Sequence, residues 1–413
     1  MNNTNAKTKT TGRQIFRKIT IGMVISSMTF SLLTFAGCGP EVVEDYPEPI
    51  VSVTEEENAA SGSIDVSSDK GDYIEFDQER FFSMESPTFR ESGKYTFDPV
   101  KIPLAYKEQL KETPARYAFA KMLLLSIYEG KKEFFIPEEC DMSSYQFDEF
   151  WYTVSQCNPL AQSVSYKKIE EGHYELIYYP EWLGEMANDP EQKVSDDYVY
   201  RQNQLFIEYI ENFINSRISR SDTDEEIAEK IYKGIIEEFY IVLFTFSDDG
   251  SMNLSSLSEN LLEEASADND SGVEDHMRSV VEDYNSRLTY QYSVPDLYFF
   301  LLDQVGIESY PVTASSKYKE QYIPVLDDHM ANSDWNTWTI VVMDGTAYHC
   351  DLIYDYIIYS AAKKEDPEAE IEPLFFGMSD ETRKKSLEIT GGSIWVNLPG
   401  NYSSAPECPE DLK

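Results

Sequence analysis

The sequence predicts an α+β fold, because helical runs and short β-rich runs follow one another along its 413 residues. Apolar residues recur at helical spacing from Thr113 to Tyr128 and again from Tyr198 to Ile218. Two β-rich runs flank Asp344-Gly345, a dipeptide that accepts positive φ at both centres of a tight turn. With 41% hydrophobic and 14% aromatic residues, the chain has enough apolar surface for packed cores and enough length for two domains.

Residues 1–37 have the pattern of an export signal. A basic segment precedes an apolar run from Ile19 to Ala36, and this run leads into Gly37-Cys38. The pattern resembles a bacterial lipoprotein signal peptide, which implies cleavage before Cys38 and lipidation of that cysteine. Phe35 departs from the leucine usual three residues before the cysteine. An uncleaved membrane anchor is the alternative. In either case we expect an extracellular protein that is anchored to the cell membrane.

Residues 38–72 are acidic and rich in serine, proline and glycine, so we predict a disordered linker. The whole chain carries a formal charge of −41. Such a surface repels nucleic acid, and we expect no nucleic-acid partner. Divalent cations or basic partners are compatible with this charge, and so is a solvated acidic surface without a partner.

Residues 73–218 are predicted to form an N-terminal α+β domain. Thr113 and Pro114 indicate a helix start and Gly130 its end. A short helix is predicted from Phe147 to Val154, and a strand from His173 to Tyr179. We expect His173 to have a structural or surface role.

Residues 219–385 are predicted to form a second domain, followed by an irregular tail at 386–413. Acidic residues after Ser221 indicate a helix N-terminus. Residues 247–272 are polar and predict an inserted loop. A helix is then expected between Ser293 and Gly306, a strand from Ile307 to Thr313, and the hairpin around Asp344-Gly345. The tight turn would place Trp338 opposite Asp351, with Asn336 on the diagonal.

This order of helix, strand and hairpin resembles the transglutaminase-like superfamily, which has a papain-like fold. The resemblance covers residues 220–385 and is strongest in Asn336-Thr337-Trp338 and Tyr348-His349-Cys350-Asp351. It implies a helix packed on an antiparallel sheet. Members of the family use a cysteine nucleophile at the helix N-terminus, a histidine base and an aspartate that orients the histidine.

The resemblance places the cysteine position of the family on Gln291, the histidine position on Asn336 and the aspartate position on Asp351. Glutamine is not a nucleophile, and asparagine does not accept a proton near neutral pH. The loss of a nucleophile or its base lowers the rate by several orders of magnitude. We therefore expect a catalytically inactive domain. Gln291, Asn336, Trp338 and Asp351 would instead form a polar groove that binds peptide, protein or cell-wall material.

Two alternatives keep other chemistry open. An active enzyme with a relocated nucleophile would need Cys350 to meet His349 or His329, although strand alternation places Cys350 and His349 on opposite faces. The other alternative is a spacer module in which the cleft has closed.

Asp327-Asp328-His329 is not a diagnostic metal motif, and we expect neither a metal nor a cofactor. The four remaining cysteines allow two disulfides in three pairings, or free buried thiols, and they are Cys140, Cys157, Cys350 and Cys408.

Overall fold

The computed structural model describes residues 72–178, 196–246, 252–255, 280–285, 287–290, 293–318, 335–389, 393–396 and 404–412. The predicted signal peptide, Cys38 and all but the last residue of the predicted linker lie outside these ranges. Gln291, His329 and the acidic pair before His329 lie outside them as well. None of the helices in the described ranges is both long enough and apolar enough to cross a bilayer.

The described helices account for most of the regular structure. Their bounds are α1 (Gln78–Ser83), α2 (Phe89–Ser92), α3 (Leu104–Lys111), α4 (Pro114–Tyr128), α5 (Ser144–Ser155), α6 (Pro159–Gln162), α7 (Asp196–Arg217), α8 (Asp224–Glu238), α9 (Val280–Asn285), α10 (Val294–Gln304), α11 (Leu352–Glu365) and α12 (Asp380–Ser386). A 3₁₀ turn covers Glu138–Cys140.

The strands form three sheets. Their bounds are β1 (Glu133–Phe135), β2 (Ser165–Glu170), β3 (His173–Ile177), β4 (Tyr240–Phe246), β5 (Met252–Ser255), β6 (Leu288–Tyr290), β7 (Ser309–Tyr318), β8 (Trp335–Met343), β9 (Thr346–Cys350), β10 (Leu387–Ile389) and β11 (Trp395–Val396). The first sheet has the order β1-β3-β2, and the largest has the order β10-β7-β8-β9 with β11 also paired to β7. Both are antiparallel. In the third sheet, β4 pairs antiparallel to β5 and parallel to β6. The predicted α+β class is confirmed.

The helix ends follow the sequence signals. Helix α4 begins at Pro114 after Thr113, and Gly130 beyond its end has a φ of +67°. Most of this helix is buried, so it serves as the centre of the N-terminal region. Helix α8 begins with a capping box, in which Thr223 accepts a hydrogen bond from the Glu226 amide and the Glu226 side chain accepts one from the Thr223 amide.

The N-terminal region packs directly on helix α10 of the following region. The Tyr95 hydroxyl donates to Gln304 Oε1 at 2.8 Å. The Leu104 amide donates to Asp303 Oδ1 at 3.3 Å. Buried residues of both regions belong to one hydrophobic cluster. Helix α10 is therefore shared by two interfaces, one with the N-terminal region and one with the large sheet.

Several elements differ from the expectations. The segment after the hairpin forms the 14-residue helix α11, which the sequence analysis did not identify. Strand β5 lies inside the predicted inserted loop, where its residues pair with β4. Strand β7 continues to Tyr318, well beyond Thr313. The segment 386–413 was predicted to be an irregular tail, but it contributes β10 and β11, which pair with β7. Pairing with a long neighbouring strand thus orders segments whose own sequence signal is weak.

Candidate functional site

The hairpin that suggested a site is formed as predicted. Asp344 and Gly345 at its turn have φ values of +49° and +80°. The register runs from Met343 opposite Thr346 to Thr339 opposite Cys350. One further step along this register brings Trp338 level with Asp351, as the two-residue turn requires.

The two faces of the hairpin contact different helices. On one face, the Thr339 hydroxyl donates to the carbonyl oxygen of Pro295, at the start of α10, at 3.2 Å. On the other face, the guanidinium of Arg383 from α12 lies 4.4 Å from the centre of the Trp338 ring. The sheet is thus enclosed between α10 and α12, and the residues of interest divide between these two interfaces.

His349 occupies the face covered by α12, where both ring nitrogens have partners. Trp338 Nε1 donates to His349 Nδ1 at 2.9 Å, and His349 Nε2 lies 2.9 Å from Asp380 Oδ1. An indole N–H can only donate, so Nδ1 is the unprotonated nitrogen and Nε2 carries the proton that Asp380 accepts. Burial lowers the pKa of His349 below its ordinary value, which favours the neutral ring. The only lone pair of this neutral imidazole is already engaged, so His349 is not placed to act as a general base.

Asp351 is paired with an arginine. Its Oδ2 accepts a hydrogen bond from Nη2 of Arg383 at 2.6 Å, and both side chains are enclosed in the interior. Burial raises the pKa of Asp351, whereas the charge of Arg383 and its hydrogen bond oppose that rise. The carboxylate therefore neutralises a buried cation, a role different from orienting a catalytic base.

Asn336 is hydrogen-bonded to the neighbouring strand. Its Nδ2 donates to the Ser316 hydroxyl at 2.8 Å and to the Ser316 carbonyl oxygen at 3.2 Å. Within the described ranges, no hydrogen bond joins Asn336 to Asp351. Gln291 lies outside those ranges, so the expected meeting of Gln291, Asn336 and Asp351 remains a prediction. Trp338 and Asp351 are each 1% exposed, so neither side chain lies on an open surface.

The cysteines of the described ranges are buried free thiols, and the disulfides that the sequence allowed are not formed. Burial raises the pKa of Cys140 and of Cys408 to about 12. It also raises the pKa of Cys157 and of Cys350. Because the thiolate is the nucleophile, a cysteine that stays protonated near neutral pH is a poor one. The alternative of a relocated cysteine nucleophile gains no support from these four residues.

One group of possible metal ligands was not anticipated. The ligand atoms of His349, Asp380 and Cys408 all lie within 4.8 Å of one another. Histidine, carboxylate and thiolate are suitable zinc ligands. However, Trp338 occupies the lone pair at Nδ1, and Nε2 carries a proton. A metal at Nε2 would have to displace this proton and break the hydrogen bond to Asp380. The hydrogen bonding of these residues therefore does not fit a metal.

Asp355 connects the first turn of α11 to two other elements. Tyr232 Oη of α8 lies 2.6 Å from Asp355 Oδ2 and 2.8 Å from the carbonyl oxygen of Asp351. The amides of Leu374 and Phe375 also donate to the Asp355 carboxylate. Burial raises the pKa of Asp355 to about 6. These bonds fix the segment before Asp380, which in turn positions the partner of His349.

His173 lies far from the hairpin in sequence and has a local environment of its own. Its ring stacks on Phe135 at 4.2 Å between ring centroids, and its Nε2 lies 2.9 Å from Glu133 Oε2. Phe135 is its directly paired neighbour across β1 and β3. These contacts agree with the expected structural or surface role.

The sequence analysis identified His349 and Asp351 but not their partners. Asp380 lies 31 residues beyond His349, in a segment for which the sequence analysis predicted no site residue. Arg383 is three residues further along a charged helix, and nothing in its local sequence distinguishes it from a surface arginine. Comparison of the sequence with protein-family models and with curated proteins finds no match.

Proposed function

We propose that this chain is a lipid-anchored extracellular protein whose transglutaminase-like domain is catalytically inactive and binds peptide, protein or cell-wall material. The observation that carries the proposal is the double engagement of His349, by Trp338 at Nδ1 and by Asp380 at Nε2. A histidine with no available lone pair does not activate a nucleophile. Asp351, which matches the aspartate of the family triad, is paired with Arg383, so it does not orient a catalytic histidine either.

The arrangement of elements supports a papain-like fold for this domain. Helix α10 precedes the hairpin in sequence and contacts it through Pro295 and Thr339. The hairpin belongs to an antiparallel sheet, as the family resemblance implies. Asn336 and Asp351, which match the histidine and aspartate positions of the family, lie on β8 and just after β9, and this arrangement supports the proposal.

The enclosed side chains change the expected form of the groove. Trp338 and Asp351 lie beneath the surface, so their proposed contribution is to hold the hairpin and α12 together. Ligand contacts would then come from Gln291, from Asn336, which is 9% exposed, and from neighbouring surface groups. The formal charge of −41 favours basic ligands over nucleic acid.

Anchoring is proposed from the sequence before residue 72, with Cys38 as the lipidated residue. Membrane fractionation of cells that express the full chain tests this part. We expect the protein in the membrane fraction, and release of the Cys38→Ser variant into the soluble fraction or its retention as an unprocessed precursor. A mature, membrane-bound Cys38→Ser protein would contradict lipid anchoring.

The inactive site is tested by alkylation of the full chain with iodoacetamide at pH 7, followed by mass spectrometry of each cysteine-containing peptide. We expect the four buried cysteines to react slowly in the folded protein and at the rate of a free thiol in urea. One cysteine that reacts faster than a free thiol in the folded protein, and loses this advantage in the His349→Gln variant, would establish the enzyme alternative.

The proposed binding of peptide, protein or cell-wall material is tested by a separate measurement. Cosedimentation with insoluble cell-wall material and titration with basic and acidic peptides of equal length separate the ligand classes. We expect a saturable interaction with wall material or with the basic peptide, and its weakening in the Asn336→Ala variant. The absence of saturable binding to every one of these ligands would contradict the binding function.

A further inference from the structure

A cleft lies where the N-terminal region meets helix α10. It is lined by Tyr106 of α3, by Gln156 and Gln162 around α6, and by Tyr284, Asp296 and Phe299. The cleft encloses about 280 Å³ of space, part of which is its opening to solvent, and its inner end has room for a group about the size of one water molecule. It therefore accepts one small head group at its inner end.

Two polar groups that face this cleft lack partners. Among the residues that the structure describes, neither the carboxylate of Asp296 nor the hydroxyl of Tyr106 takes part in a hydrogen bond. Tyr106 is only 3% exposed, and its ring meets Phe299 edge-on at 5.8 Å. The cleft opens to solvent, so the unpaired hydroxyl and the unpaired carboxylate in its wall are both available to a ligand that donates hydrogen bonds.

The side chains that line the cleft favour a ligand with a positive charge. Among the residues that the structure describes, no arginine, lysine or histidine lines the cleft. Burial raises the pKa of Asp296 to about 7. A carboxylate next to aromatic rings and amide side chains is a suitable environment for a cation that donates hydrogen bonds.

We propose that this cleft binds a primary ammonium group, carried by a lysine side chain of a polypeptide or by a free amine, with Asp296 and Tyr106 accepting its hydrogen bonds. The three hydrogens of an ammonium would meet the Asp296 carboxylate, the Tyr106 oxygen and an amide oxygen of Gln156 or Gln162. A trimethylated ammonium donates no hydrogen bond and exceeds the size of the inner end. The site is separate from the hairpin, and the inference holds whether or not the hairpin domain is catalytic.

The inner end of the cleft is large enough for the head group of a lysine but not for its alkyl chain. The narrow part surrounds only the head group, while the opening to solvent leaves room for the alkyl chain. A basic segment of a partner would insert one lysine, and the formal charge of −41 would favour the approach of such a segment.

The test is calorimetric titration of the full chain at pH 8 with three probes that differ only at the nitrogen. These are Nα-acetyl-lysine methylamide, its Nε-acetyl derivative and its Nε-trimethyl derivative. We expect binding of the first alone, and about 10- to 100-fold weaker binding in Asp296→Asn, because a charge-assisted hydrogen bond is lost. Methylammonium and a lysine-containing peptide are titrated in the same way as two further ligands. Tighter binding of the peptide identifies a polypeptide source, and equal binding identifies a free amine.

The matched control is Asp303→Asn, which removes a buried carboxylate from the same helix. Asp303 is not a lining residue of the cleft, and asparagine keeps an acceptor for the Leu104 amide. This variant should bind the lysine probe as the unchanged chain does. Circular dichroism shows whether both variants are folded, and Tyr106→Phe provides a second variant if Asp296→Asn is not. Equal binding to Asp296→Asn or to Tyr106→Phe, or binding of the trimethyl probe with similar affinity, would overturn the proposal.

The pH dependence supplies an independent readout. Ammonium binding needs the ionised Asp296 carboxylate, and Tyr106 and Tyr284 are the other titratable groups that line the cleft. Burial keeps the pKa of Tyr106 well above its ordinary value. Affinity should therefore fall from pH 8 to pH 6 as Asp296 takes up a proton. An affinity that stays constant over this range would also overturn the proposal.

Discussion

The guanidinium of Arg383 donates to the carboxylate of Asp351 at 2.6 Å, and the two side chains are 0% and 1% exposed. The pair is incompletely satisfied, because Asp351 Oδ1 and the Nε and Nη1 atoms of Arg383 have no hydrogen-bond partner in the part of the chain that the structure describes. The face of Trp338 covers the guanidinium instead. A buried pair of this kind costs free energy to desolvate, so each ion depends strongly on the other.

Replacement of Arg383 by methionine should destabilise the protein severely. It would leave Asp351 as an uncompensated buried charge, which typically costs about 3–5 kcal/mol. Urea denaturation monitored by circular dichroism measures the loss. The double variant Asp351→Asn with Arg383→Met should recover much of it, because neither charge then remains. Equal losses in the single and double variants would show that packing against Trp338, rather than charge, is decisive.

Replacement of Trp338 by phenylalanine should remove the donor to His349 while keeping an aromatic ring. The unpaired Nδ1 would cost about 1–3 kcal/mol. Nitrogen-15 NMR of the imidazole tests the assigned tautomer directly, since the unchanged chain should show a protonated Nε2 and an unprotonated Nδ1. A spectrum with the proton at Nδ1 would contradict the hydrogen-bond network described above.

The protonation of His349 should reduce stability in acid. Its folded pKa lies below its ordinary value, so the unfolded chain binds the proton more readily. Its contribution is complete above about pH 6.5 and is lost as the pH falls below that value. Unfolding free energies at pH 7.5 and pH 5.5, compared with those of His349→Gln, isolate this contribution. A variant with the same pH dependence as the unchanged chain would contradict it.

The contribution of Asp303 to stability should change with pH in the opposite direction. Burial raises its folded pKa to about 6 against the opposing charges of Lys101 and Lys107. The folded protein therefore binds the proton more readily, and stability falls as the pH rises from about 4 to about 6. Asp303→Asn should thus gain up to about 3 kcal/mol on the unchanged chain between pH 4 and pH 8. A constant difference between the two proteins across this range would contradict the effect of burial on the Asp303 carboxylate.

Gly345 should be replaceable only by residues that accept its backbone conformation. Its φ is +80°, and a Cβ there would meet no other atom within 4 Å. Gly345→Ala should therefore cost about 1 kcal/mol through backbone strain alone. Gly345→Asn is the matched control and should cost less, because asparagine tolerates the left-handed region. Thermal denaturation of both variants compares them, and equal losses would point to a cause other than the backbone.

The local signals in the sequence were sufficient for many elements of the fold. The proline and glycine around α4 mark its ends, and Asp344-Gly345 defines the hairpin and its register. These features depend on residues close together in the chain. Helix α11 was missed because its tyrosines and isoleucines suit a strand as well as a helix. Only its packing beside α8 and α10 decides between them.

The candidate site was harder to predict because its determining contacts are distant in sequence. His349 meets Asp380 31 residues later, and Asp351 meets Arg383 32 residues later. A charged residue on a short polar helix gives no sign that it will be buried. The family resemblance drew attention to Gln291, Asn336 and Asp351, whereas it gave no role to His349, whose two ring nitrogens both have buried or half-buried partners.

The segment 404–412 is bound to the start of α12 by several backbone and side-chain contacts. Asp380 and Cys408 exchange hydrogen bonds, and the Asp411 carboxylate accepts from the Ser379 amide and the Thr382 hydroxyl. The Leu412 amide donates to the Gly377 carbonyl oxygen. Local opening of this segment would therefore release Asp380 from its position beside His349. Hydrogen exchange at the amides of Asp380, Cys408 and Leu412 should proceed as one cooperative unit, so that the protonation state of a buried histidine is coupled to the motion of a surface segment.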